Sequence, residues 1–204
     1  MKKAIDLILL VALVVGAVLA WQTGGERSRL TERHRRLAQV TGDLPIADPS
    51  KVYILALDTK EPLHYAWRVH LPPNYKRILS DGVGGQSSGW SRDAEEFIAR
   101  VRIREGDLGQ LELYYHFSGG STRMSFGNRS LADFLRGRWD AVRVEQLGSG
   151  DLAVIDPAGS AILLRLTIPE SMRDEARRKL DSSTIERQFP VLLKLQLGPT
   201  APKP

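Results

Sequence analysis

The sequence predicts a mainly β protein. An N-terminal transmembrane helix and a short polar helix precede an antiparallel β-sandwich or partly open barrel that carries two short helices. Three observations carry this expectation. Residues 7–21 form an unbroken apolar run, residues 26–41 are polar and free of Pro and Gly, and from Lys51 onward apolar residues recur at every second position. A period of two is the mark of strands with one buried and one wet face. The expected division is an anchor (or signal peptide) at 1–22, a helical spacer at 23–42 and a linker at 43–50. A β-rich domain at 51–197 and a disordered tail at 198–204 follow.

The apolar run extends from Leu7 to Trp21 behind Lys2 and Lys3. Extended outward past Asp6 to Ala4, it approaches the ~17–25 residues that a helix needs to span a bilayer. One reading is a permanent single-pass anchor through residues 4–21, with Trp21 as an interfacial aromatic. The other is a secretory signal cleaved after Ala20. The span arithmetic favours the anchor, and both readings bring the chain to a membrane. Orientation has two readings as well. Arg27, Arg29, Arg33, Arg35 and Arg36 outnumber Lys2 and Lys3, which by count alone leaves the C-terminal domain in the cytoplasm. The short Lys-led start of an apolar run, followed by residues without positive charge, exports what comes after it. The second pattern is favoured, with an extracytoplasmic domain.

Thr23 and Glu26 have capping-box spacing, and Gly42 stands where a helix would end. Leu30, Leu37 and Val40 occupy a-a-d positions, a seam for a protein partner or for self-association. Under two heptads are present where a coiled coil needs three or four, which favours a solvated spacer. Pro45 and Pro49 mark the linker.

Strands are expected at Val52–Leu57, apolar on both faces and therefore central, and at Leu63–Leu71, Ala99–Arg104 and Leu111–Phe117. Val142–Leu147, Leu152–Ile155, Ile162–Ile168 and Val191–Leu197 complete the set. The connections Thr59–Pro62, Glu105–Gln110, Gly148–Gly150 and Asp156–Gly159 have hairpin length and turn chemistry. One helix is expected from an N-cap at Ser130 to near Arg136. A second runs from Glu170 to Leu180, with a narrow stripe of Met172, Ala176 and Leu180 that places it on a surface. Pro72–Arg92 reads as the longest irregular stretch.

Composition excludes several chemistries. The absence of Cys removes disulfides, thiolate metal sites and thiol nucleophiles. A net charge of +5, with bases interleaved among acids, gives no expectation of nucleic acid as a partner. Gly85–Gly89 matches G-x-S-x-G, in which a strand-to-helix turn exposes a nucleophilic serine. Here that serine, Ser87, follows a Gly-rich loop without alternating βα context, so catalysis is not expected. His34, His64, His70 and His116 lack metal-ligand spacing, and no cofactor is expected.

The candidate contact residues are Tyr75, Trp90, Arg100, Arg102, Arg104, Tyr114 and His116. Arg100, Arg102 and Arg104 share one strand face. They read either as contacts to an acidic partner or as a solvated face paired across a hairpin with Glu112. Tyr75, Trp90 and Tyr114 read as exposed aromatics suited to a sugar, while Trp67 and Tyr65 read as core. The layout of Lys-led start, single span, arginine-rich helix and one domain resembles bacterial bitopic envelope proteins in organisation, without shared motifs. The expected function is an anchored, non-enzymatic interaction or assembly component. A polysaccharide-binding domain is the alternative, and an exported hydrolase comes last.

Overall fold

Side-chain alternation converts directly into strands from Val52 onward. In the computed structural model, the described residues are 43–80, 86–180 and 189–199. The apolar segment 4–21 and the spacer with Leu30, Leu37 and Val40 lie outside them, as does the tail from 200. Among the described residues no helix is long and apolar enough to cross a membrane.

The elements are β1 (Val52–Leu57), β2 (His64–Leu71), β3 (Tyr75–Ser80), β4 (Gln86–Ser91), β5 (Glu95–Glu105), β6 (Leu111–Phe117) and β7 (Gly120–Gly127). Then come α1 (Arg129–Leu135), β8 (Arg143–Gln146), β9 (Ala153–Ile155), β10 (Ala161–Thr167), α2 (Glu170–Lys179) and β11 (Val191–Gly198). They form a six-stranded sheet in the order β7-β6-β5-β2-β1-β9 and a five-stranded sheet in the order β4-β3-β11-β10-β8. Neighbours pair antiparallel throughout. One core cluster draws Trp67, Val101 and Leu113 from the first sheet and Leu79, Leu166 and Leu193 from the second. Two antiparallel sheets sharing one apolar core, with two helices alongside, are consistent with a β-sandwich.

β1 lies between β2 and β9. Its two-sided apolar character has a local cause. Val52, Ile54 and Ala56 enter the core, while Tyr53 and Leu55 are buried on the other face. There the Tyr53 hydroxyl accepts a hydrogen bond from the Asp48 backbone N–H at 2.7 Å, and the ring meets His70 edge-on at 5.9 Å.

Four expectations change. Within 72–92, Tyr75–Ser80 and Gln86–Ser91 pair antiparallel as β3 and β4 where an irregular stretch is expected. Tyr75, Arg77 and Leu79 alternate on one face of β3, and Arg77 breaks the apolar signal. A two-residue turn, Ser118-Gly119 with Gly119 at φ +85°, leads into β7, an edge strand whose only fully buried side chain is Phe126. α1 is capped by Asn128, whose side chain accepts from the Leu131 N–H at 3.0 Å, two residues earlier than the expected Ser130 cap.

The fourth change concerns topology. Gly148–Gly150 and Asp156–Gly159 are crossovers between sheets, not hairpins, because β9 leaves the sheet of β8 and β10 to pair with β1. The Gly148 carbonyl accepts from the Ala56 N–H at 3.1 Å, which pins the crossover to β1. α2 matches its expected stripe: Met172, Ala176 and Leu180 are buried, and Lys179 pairs with Glu175 at 2.7 Å.

Candidate functional site

On β5 the period of two sends Val101 and Ile103 into the core and Arg100, Arg102 and Arg104 to the surface. Strand register then decides their neighbours. Arg100 lies opposite His116, Arg102 lies between His64 and Tyr114, and Arg104 faces Glu112. On the far side of β6, Tyr114 faces Arg123 and His116 faces Ser121. The fold therefore gathers Arg100, Arg102, Arg104, Tyr114 and His116 on one outer face of the six-stranded sheet. Arg123 joins them unforeseen, since nothing in residues 120–127 alternates strongly enough to announce β7.

Glu112 organises this face. Its Oε1 accepts from Arg123 Nη2 at 2.5 Å and from Gln110 Nε2 at 3.0 Å, and its Oε2 accepts from the Tyr114 hydroxyl at 2.6 Å. Arg104 Nε stands 3.8 Å away. The carboxylate is only 2% exposed, yet it is covered by the outer tips of these side chains rather than by the core. The Gly106 turn closes beside it so tightly that a β-carbon there would collide with the carboxylate. The Tyr114 ring lies between two guanidinium groups, 4.0 Å from Arg104 and 5.4 Å from Arg123. Cross-hairpin pairing of Arg104 with Glu112 is thus present, as the second reading of the arginine row expected.

The hydrogen bond from Arg123, then that from Tyr114, hold the Glu112 carboxyl below its usual range, and the same bond raises the Arg123 guanidinium. A depressed carboxyl contributes stability above its unfolded pKa and loses it as pH falls through the folded value. Glu112→Gln is therefore expected to be less stable than the parent at neutral pH, with the difference closing on acidification below the usual carboxylate range. Urea midpoints at about pH 7 and about pH 3 measure this. A gap that stays constant across that range would mean Glu112 acts by shape alone.

Charge on this face is mostly paired. Arg102 meets Glu61 at 3.5 Å, Glu61 also meets His64 Nδ1 at 3.3 Å, and Arg68 holds Glu96 at 2.5 Å. Arg100 has no ion-pair partner among the described residues. His116 Nδ1 is 2.8 Å from Ser121 Oγ, which fixes the ring and leaves Nε2 for another group. β5 separates His116 from the β2 histidines, so these imidazoles do not converge. Arg136, Arg138 and Arg143 lie elsewhere and pair with Glu105, Glu175 and Glu145.

Tyr75 and Trp90 belong to the other sheet. Tyr75 is not the exposed aromatic expected, because the inward face of β3 carries it into the core at 5% exposure. Trp90 is 69% exposed on edge strand β4, opposite Lys76. Ser87 lies within β4, opposite Leu79, and not at the strand-to-helix turn its motif requires. Compared with known protein families, with curated proteins and with solved structures, the chain matches none.

Proposed function

We propose that this chain is a single-pass membrane-anchored protein that displays its β domain as a non-enzymatic interaction or assembly component of the cell envelope. The outer face of the six-stranded sheet is the partner surface in this reading. The observation that supports it is the pre-ordered cluster of Arg104, Tyr114 and Arg123 around Glu112, with Arg100 and Arg102 beside it. Arg and Tyr are enriched where proteins meet, and side chains already held in place lose little rotamer freedom on docking. A tether through residues 4–21 would confine that face to the membrane surface and raise its effective concentration for partners there.

The test uses the full-length chain in its native membranes. Alkaline carbonate extraction followed by intact mass reports whether the chain stays anchored and starts at Met1. A photo-crosslinker placed at Ser121 is expected to give a discrete adduct, and one at Lys194 on the other sheet none. The double variant Arg102→Ala/Arg123→Ala is expected to lower the Ser121 yield about tenfold, equivalent to ~1.4 kcal/mol of binding. Equal yields from both positions, or release by carbonate, would overturn the reading.

The ligand-binding alternative loses Tyr75 to the core and keeps Trp90.

A further inference from the structure

We propose that Trp90, Lys76, Arg92 and Asn74 form a second binding site, which takes a sugar ring bearing an acid group, carboxylate or sulfate, within a glycan. It lies on the outer face of the five-stranded sheet, away from the arginine cluster, and does not rest on the reading above.

Large exposed apolar side chains are few among the described residues, and Trp90 is the single aromatic among them. Its indole makes no ring contact with another described residue. The β3–β4 register puts Lys76 directly across from it, and Arg92 follows two residues on. The Asn74 N–H donates to the Arg92 carbonyl at 3.2 Å, tying the two loop ends together. Asn74, Trp90 and Arg92 line a concavity of about 680 Å³, and Asn74 and Lys76 also line an adjoining one of about 300 Å³.

Charge distinguishes this corner from the arginine face. Of the first two acids that follow Arg92 in the chain, Asp93 makes no ion pair among the described residues, and Glu95 is engaged between the sheets: its Oε2 accepts from Ser91 Oγ at 2.8 Å and stands 3.6 Å from Arg77 Nη1. Arg77 also donates to the Ser118 carbonyl. Lys76 and Arg92 have no ion-pair partner among the described residues. On the arginine face, by contrast, Glu61, Glu96 and Glu112 answer most of the positive charge. Two unanswered cations beside an open indole are complementary to a ring that has an apolar face and an anionic substituent. A pyranose acid fits this, with the C–H face on Trp90, the acid on Lys76 and Arg92, and hydroxyls on the Asn74 amide. Single-stranded nucleic acid would call for several exposed aromatics along a basic groove, whereas here Trp90 is exposed and Tyr75, which lines the adjoining concavity, is buried.

The experiment is affinity electrophoresis of the full-length chain in detergent through gels containing polygalacturonate, dextran sulfate or neutral dextran. Retardation by at least one acid polymer is expected to exceed that by dextran at least tenfold. Which polymer binds assigns carboxylate or sulfate. Trp90→Ala and Lys76→Ala/Arg92→Ala are each expected to weaken it at least tenfold, and Arg100→Ala/Arg102→Ala to leave it unchanged. These side chains are exposed, and unchanged urea midpoints would establish that the variants fold. Equal retardation by dextran, binding that survives Trp90→Ala, loss through the Arg100/Arg102 variant, or tighter binding of oligodeoxythymidylate than of either acid polymer would each overturn the proposal.

Discussion

Trp67→Ala is expected to lower the unfolding free energy by about 4–6 kcal/mol, combining ~3–5 for the lost indole and its cavity with ~1 for a hydrogen bond. Trp67 is fully buried, and its strand neighbours explain why the gap would stay open. Ala56 on β1 and Ala99 on β5 lie directly opposite it, so two small residues make the room that one large ring fills. The indole Nε1 also donates to the Leu147 carbonyl at 3.0 Å, reaching from the six-stranded sheet to the residue that follows β8 of the other. Truncation therefore empties the core and strands a carbonyl acceptor. Domains of this size are stable by only ~5–15 kcal/mol, so the variant is expected to populate unfolded chains near 37 °C. Trp67→Phe keeps most of the volume and is expected to lose about half as much. Urea denaturation at constant slope measures both, and a loss under about 1.5 kcal/mol for Trp67→Ala would show that the site collapses around the vacancy.

Gly148→Ala is expected to cost about 2–4 kcal/mol, from ~1 for the backbone conformation and ~1–3 for overpacking. Gly148 has φ +78°, and a β-carbon there would stand 2.8 Å from the Ile54 carbonyl oxygen and 2.9 Å from the Ala56 nitrogen. Both are backbone atoms within β1, which cannot rotate aside. Two other glycines separate the contributions. Gly137 has φ +71° with nothing within 4 Å of the added carbon, so its Ala variant is expected to show the conformational part alone, about 1 kcal/mol. At Gly150 neither condition holds, and Gly150→Ala is expected to be neutral within about 0.5 kcal/mol. If Gly148→Ala and Gly137→Ala proved equal, the close approach to β1 would carry no energy.

The strands legible in the sequence are those with a full apolar row to bury. β1 matches its expected bounds, and β2, β6, β10 and β11 shift by a residue at most, since each packs apolar side chains against the opposite sheet. β3, β4 and β7 escaped for related reasons. Arg77 interrupts the inward row of β3, while β4 and β7 are edge strands whose positions are largely polar. The crossovers around β9 were unreadable because a short turn looks the same whether it returns the chain to its own sheet or carries it to the facing one. For the site, the period of two was enough to place three arginines on one face and to anticipate the Glu112 pair. It was silent on Arg123, which belongs to an unannounced strand. Tyr75 departs from expectation because its burial depends on which face of β3 turns toward the six-stranded sheet, a fact of tertiary packing.

β11 sits between β3 and β10, and Gln196 pairs with Ser80 after more than half the chain has intervened. In synthesis, then, the β3–β4 pair must wait for residues 191–198 before its sheet can close. Until then its inner edge has no neighbour, and non-local pairing of this kind is slow and exposed to misassociation. During elongation the nascent domain would behave as a six-stranded half with an unfinished companion. A chaperone that shields open strand edges would act in that interval, and a stop codon anywhere before β11 would leave a half-built product for proteases rather than a smaller version of the domain.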